Sequence, residues 1–267
     1  MYGKNSIAGQ MVASDGCIVK KIWYTLQGEG PYAGCPAIFV RFSGCNLRCY
    51  FCDTDFEGGE HYTLPDLATV LQEWALAYKC GFFVFTGGEP MLQDIITLAH
   101  QMQEAWSLHS KPISAPRPPL KIQVETAGTV WPKHELSDQV LATLIPKTLE
   151  LVCSPKTPSI HPEVVRWCRH YKYIIIRDEL DLADGLPIYA TQPGLNSDRR
   201  LFRPCPYTLR FAGSQVWVQP CDPPPQEPHN TSVYDARFRA NVRAAVASAL
   251  QHGYRLSFQV HKAVGVD

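Results

Sequence analysis

Hydrophobic positions along the chain follow two rhythms. KIWYTLQGEG and then the apolar run AIFVRFSG, with Gly30, Pro31, Gly34 and Pro36 between them, read as two short strands joined by a turn. Thr63, with Asp66 three residues later and Pro65 between, marks a helix start, and Leu67, Val70, Leu71 and Trp74 then share one face. GFFVFTGGEP is a continuous apolar run closed by glycines, the mark of a strand buried on both faces that delivers a loop at its carboxyl end.

That form recurs. A helix over about 91–106 leads to LKIQVETAG, and LELVCSPK and YKYIIIRD are two more buried strands with charged or small residues at their ends. LRFAGSQVWVQP holds another, 235–252 reads as a helix with Phe238, Val242, Ala245 and Ala249 on one side, and 254–262 as a last alternating strand. Strands alternating with helices imply a parallel sheet with crossover connections. Two stretches, 107–119 and 179–206, are Pro-rich or aperiodic and read as surface insertions.

Composition narrows the function. At 267 residues the chain fits one decorated domain spanning 1–267. Lys plus Arg equals Asp plus Glu at 25 each, so net charge argues for neither a nucleic-acid nor a membrane partner. No apolar run approaches the roughly 18 residues of a spanning helix, and MYGKNSIAGQ lacks the design of a signal peptide, so a cytoplasmic protein is expected. Disulfide frameworks belong to short secreted chains, which leaves the clustered thiols among the ten cysteines as candidate metal ligands. The remaining cysteines, Cys17, Cys35, Cys80, Cys153, Cys168, Cys205 and Cys221, read mostly as buried structural thiols, and the six tryptophans as core or interface residues.

The cluster is GCNLRCYFCDT, with Cys45, Cys49 and Cys52 in eight positions and no fourth cysteine beside them. Zinc would want a fourth ligand, from His61 or a remote cysteine. A CxxC redox pair would leave Cys45 unused. Three thiolates on a four-iron cluster leave one iron open, which accounts for the missing fourth. Spacing alone leaves these open. Thr86-Gly-Gly-Glu-Pro90, Glu125-Thr-Ala-Gly128, Ser154-Pro-Lys156 and Gln219-Pro220 all fall at carboxyl ends of expected strands, where parallel sheets collect ligands. Gly87 and Gly88 would let a ligand approach the backbone, Glu89 or Glu125 could hold an ammonium or a hydroxyl, and Lys156 could meet a carboxylate.

CNLRCYFC followed by GGEP resembles the radical S-adenosylmethionine (SAM) signature. With YTLQGEG, FVRFSGCNLRCYFCDTDF, ETAG, SPK and a terminal HK, the chain from about residue 22 to its end resembles the 7-carboxy-7-deazaguanine synthase family of the queuosine pathway. The resemblance implies an incomplete parallel (βα) barrel of α/β class and a 4Fe–4S cluster on Cys45, Cys49 and Cys52. It implies Mg2+ at Thr54, a homodimer, and an external electron donor such as a flavodoxin or ferredoxin. SAM would contact Phe51, Asp53, Gly88, Glu89, Ser154, Pro155, Lys156 and Gln219. A 5′-deoxyadenosyl radical from SAM, rather than a side chain, would abstract hydrogen from 6-carboxy-5,6,7,8-tetrahydropterin, which then contracts and loses ammonia.

The same resemblance gives the pterin Leu26, Gln27, Gly28, Glu29, Arg41, Thr86, Glu125, His261 and the terminal Asp267. Gln27 offers a donor and an acceptor, and the Arg41 fork suits a carboxylate. Ala127 departs from the Asn often found in this family. A glycyl-radical activating enzyme would share the cysteine motif but need a protein substrate, and a zinc-binding scaffold would share only the fold.

Overall fold

The computed structural model describes residues 15–52, 54–108, 118–191, 200–204, 215–222 and 231–266. One nine-stranded sheet organises them in the order β3-β1-β2-β4-β5-β6-β7-β8-β9. The strands are β1 (Cys17–Leu26), β2 (Pro36–Phe42), β3 (Glu60–Tyr62), β4 (Phe82–Gly87), β5 (Lys121–Thr126), β6 (Leu149–Cys153), β7 (His170–Ile175), β8 (Gln215–Pro220) and β9 (Arg255–Leu256). β1 pairs antiparallel with β2 and β3, while β2 and β4 through β9 run parallel. β3 and β9 stay at opposite edges, so the sheet is not closed, as an incomplete barrel requires.

Helices α1 (Leu64–Tyr78), α2 (Ile95–Leu108), α3 (Asp138–Leu144), α4 (Pro162–Trp167), α5 (Thr231–His252) and α6 (Val260–Val264) complete the frame. The Thr63 hydroxyl caps α1 by accepting from the Asp66 N–H, and Leu67, Ala68, Leu71 and Ala75 bury its inner face. Each large side chain among them contributes about 1.5–3 kcal/mol on leaving water. Phe83, Val84 and Phe85 of β4 and all five residues of β6 are buried, because helices cover one face and the barrel interior fills the other. Among the described residues, no helix is long and apolar enough to cross a membrane.

Three expectations change. The helix foreseen over 91–106 begins later, at Ile95, after a 3-10 turn over Pro90–Leu92. The strand foreseen over 254–262 is only Arg255–Leu256, and Val260–Val264 is helical instead. Its alternation is overridden because this segment docks on the turn after β1: Val260 N–H donates to Gly28 O at 3.0 Å, and Gly30 N–H to the Ser257 hydroxyl at 3.0 Å.

The 179–206 stretch is no loose surface excursion where it is described. Leu186 and Leu201 are buried, and bridges join Leu180 to Pro187 and Tyr189 to Arg200. Arg203 pairs with Asp184 at 2.6 Å, and Tyr254 Oη donates to Asp184 O at 2.9 Å. The segment thus fills part of the β7–β8 crossover. Residues 109–117 of the other foreseen insertion lie outside the described residues.

Candidate active site

A cavity of about 560 Å3 opens over the carboxyl ends of the strands, in the size range of a cofactor or substrate site. The loop after β2 brings Cys45, Cys49, Phe51, Cys52 and Thr54 to it; β4 brings Thr86 and Gly87, with Gly88 next along; the ends of β5, β6 and β8 bring Glu125, Ser154, Lys156 and Gln219. Leu26, Gln27, Glu29 and Arg41 line it from β1, the following turn and β2, and His261 from α6. Residues far apart in sequence meet here because parallel strands all deliver their loops to one end.

Gly28, Glu89 and Pro155 are absent from the lining. Glu89 is fully buried beneath it, accepting from Thr126 Oγ1 at 2.7 Å, Ala127 N–H at 2.8 Å and Met91 N–H at 3.1 Å. Burial pushes its carboxyl up to about 7 despite these donors. It ties the β4 and β5 loops together. Gly87 and Gly88 are demanded by backbone: a Cβ would lie 2.1 Å from Phe42 O and 1.9 Å from Gly44 O respectively. Asp53 and Asp267 lie outside the described residues.

Glu125 is the best-oriented carboxylate. Its oxygens accept from Thr86 Oγ1 at 2.8 Å, Gln27 Nε2 at 3.1 Å and Gln123 Nε2 at 3.3 Å. Such fixing leaves it one geometry to offer a ligand. On β2, where Arg41 pairs with Thr86 in the ladder, the Arg41 guanidinium lies 5.0 Å from the Trp23 ring centroid, itself 5.0 Å from Phe39. Arg41 Nε is buried without a hydrogen-bond partner among the described residues.

Lys172 on β7 was not singled out from sequence. Its ammonium is buried in an ion pair with Glu29, whose other oxygen accepts from Gln259 Nε2 at 2.8 Å. Burial would raise the Glu29 carboxyl, but Lys172 and the Gln259 and Gln219 amides hold it down at about 2. Burial would likewise lower Lys172, and Glu29 with Glu125 raises it instead. The pair therefore stands charged within the cavity wall. A buried lysine inside an apolar strand has no short-range signature; only YKYIIIRD, with a charge among hydrophobes, could have drawn attention to it.

Gly28 has a different task from lining. A Cβ there would lie 1.8 Å from His261 Nδ1, so the glycine admits the imidazole to the cavity. Lys262 Nζ pairs with Asp222 at 2.7 Å on the cavity rim. His261 is helical rather than on a strand, and Trp23, expected in the core or an interface, lines the cavity.

Cys45, Leu47 and Phe56 form a small apolar cluster against which Cys49, Cys52 and Ala127 pack. Burial pushes the Cys45 thiol up to about 12, and Cys49 and Cys52 are near enough to add to the rise. Leu47 N–H donates to Cys45 Sγ at 3.4 Å and Thr191 Oγ1 to Cys49 Sγ at 3.1 Å. Three sulfurs on one cavity wall, two of them receiving donors and all in an apolar collar, suit an iron–sulfur cluster. Among the described residues, no three His, Cys, Asp or Glu side chains converge on a point fit for a single ion. Nearby, Lys156 Nζ donates to the Ser154 hydroxyl and lies 5.4 Å from the Phe51 ring centroid, with burial lowering its pKa. A buried ammonium beside a hydroxyl suits the carboxylate of SAM. Of the nine described cysteines, only Cys35 is exposed.

An open, mostly parallel α/β sheet with three thiols at its ligand-binding end defines a radical SAM enzyme, and residues 39–146 match the Radical SAM superfamily. A 7-carboxy-7-deazaguanine synthase of Rhodospirillum rubrum is 37% identical over 266 residues, covering 98% of each chain. Another, from Rickettsia prowazekii, is 28% identical, covering 100% of this chain and 96% of its own. The chain belongs to the 7-carboxy-7-deazaguanine synthase family. In fold it is similar to the crystal structure of QueE from Escherichia coli, with a TM-score of 0.57 at 19% identity over 91% of this chain and 93% of the other. The family implies a 4Fe–4S cluster and SAM, and favours neither a glycyl-radical activating enzyme nor a zinc scaffold.

Proposed function

We propose that this chain converts 6-carboxy-5,6,7,8-tetrahydropterin to 7-carboxy-7-deazaguanine, with release of ammonia, in queuosine biosynthesis. The observation that carries this reading is that one cavity is lined both by three thiols and by a fixed carboxylate and a guanidinium whose Nε is buried without a partner among the described residues. That division matches a cofactor half and a substrate half. The names of the whole-length relatives support the same reaction.

Cys45, Cys49 and Cys52 would ligate the cluster, and Phe51, Gly88, Ser154, Lys156 and Gln219 would contact SAM. When bound, these groups supply one-electron chemistry that removes a hydrogen atom from C6 of the pterin. Arg41, with its unpartnered Nε, takes the substrate carboxylate in a two-pronged hydrogen bond. Gln27 and Glu125 take the pyrimidinone edge, since together they present donor and acceptor atoms whose positions Thr86 fixes.

Leu26 and His261 bound the substrate half, and Glu29, held ionised by Lys172, adds a fixed negative charge to it. Gly28 makes room for His261, while Glu89 and Pro155 shape the loops behind the SAM contacts. Thr54 would offer a hydroxyl to Mg2+, which suits a cation preferring oxygen ligands, and Asp53 and the terminal Asp267 belong to the same assignment. We place the protein in the cytoplasm as a one-domain homodimer, reduced by a flavodoxin or ferredoxin.

In a bacterial strain lacking its own 7-carboxy-7-deazaguanine synthase, the gene for this chain is expected to restore queuosine to tRNA, and Cys49→Ala is expected not to. Accumulated protein with an assembled cluster and no queuosine in tRNA would refute the reading.

A further inference from the structure

The segment after β7 ends its described run at Thr191, which is only 8% exposed. Its backbone is gripped from two sides: the N–H donates to Lys156 O at 3.0 Å, and the carbonyl accepts from Tyr50 N–H at 3.3 Å. The start of the same segment holds the cysteine loop again, since Tyr50 Oη donates to Glu179 at 3.0 Å. These contacts set the Thr191 side chain against the cysteine loop. Its hydroxyl donates to Cys49 Sγ at 3.1 Å and lies 3.5 Å from Lys156 O.

We infer that Thr191, from outside the cysteine motif, donates a hydrogen bond to the Cys49 thiolate of the assembled cluster and raises the cluster's reduction potential. This rests on the reading that Cys45, Cys49 and Cys52 ligate a 4Fe–4S cluster. Reduction adds one electron, and part of the added charge resides on the ligating sulfurs. A donor at sulfur therefore stabilises the reduced state more than the oxidised one. The Thr191 hydroxyl is itself buried, so water competes little for its proton. Thr191 is a positioning residue: it touches a ligand of the cluster and acts on electron transfer through it. The β7–β8 connection thereby gains a role in the chemistry as well as in packing.

The test uses the full chain, reconstituted anaerobically with iron and sulfide, and its Thr191→Val and Thr191→Ser variants. The midpoint potential is read by electron paramagnetic resonance during reductive titration, and exchangeable protons coupled to the reduced cluster by pulsed resonance in H2O and D2O. Thr191→Val is expected to titrate at a more negative potential and to lose one exchangeable proton coupling, while Thr191→Ser keeps both parental values. Should the valine variant not assemble its cluster, Thr191→Ala supplies the same comparison. Parental potential and couplings in a hydroxyl-free variant with full iron content would overturn the inference. A parent chain that assembles no iron–sulfur cluster would overturn the ligand assignment itself, a distinguishable failure.

Discussion

Lys172 has the surroundings that demand most of a single side chain. It and Glu29 are 8% and 14% exposed, so each is the other's main compensation for lost hydration. Removing the ammonium strands a buried carboxylate. Lys172→Met is expected to destabilise the fold by about 3–5 kcal/mol, measured by denaturant unfolding, and adding Glu29→Gln is expected to recover much of the loss. Parental stability in Lys172→Met would show that Glu29 finds other solvation. Because the Glu29 carboxyl is depressed from its usual 4.5 to about 2, the pair's contribution is complete above pH 4.5 and disappears as pH falls through about 2. The pair was hidden in the sequence because its members are 143 positions apart and each has an ordinary local reading, one as a turn residue and one as a charge in a strand.

At the scale of elements, the turn after β1 and the segment from Ser257 to α6 act as one unit. Ser257 links Gly30 to Gln219 through its hydroxyl, Gln259 reaches Glu29, and Gly28 leaves space for His261. Gly28→Ala puts a methyl group where the imidazole lies, and the imidazole can swing outward at little cost in stability. The variant is therefore expected to raise KM for the pterin several-fold with a thermal midpoint near the parent's, which steady-state kinetics and calorimetry check. An unchanged KM would remove His261 from the substrate half. β1, β2 and β4 to β8 were legible because apolar strand runs carry their own signal, whereas the three-residue edge strand β3 was not. The last segment was not, since its alternation continues past Leu256 while long-range hydrogen bonds to Gly28 and Glu29 choose a helix.

The whole molecule repeats that division between local and distant signals. A parallel sheet with its ligand site at the carboxyl ends could be read from strands that end in GGEP, ETAG and SPK, while its form as an incomplete barrel came from the family resemblance. Spacing alone left the cofactor of the cysteine loop open, and the resemblance to the radical SAM signature chose among the readings, but the loop itself was legible as a candidate metal site. What closes the site was not: Lys172, Trp23 and Thr191 enter it from segments whose sequences suggest core or surface, and only the crossing of the chain brings them there. Even the two glycines of GGEP serve the neighbouring backbone, a constraint with the same sequence signature as a ligand contact.

The most direct measurement is an anaerobic turnover of the iron-reconstituted chain with SAM, dithionite, Mg2+ and 6-carboxy-5,6,7,8-tetrahydropterin, followed by mass spectrometry. Formation of 7-carboxy-7-deazaguanine with SAM undiminished is expected. SAM cleaved to 5′-deoxyadenosine while the pterin survives intact would contradict the assigned substrate.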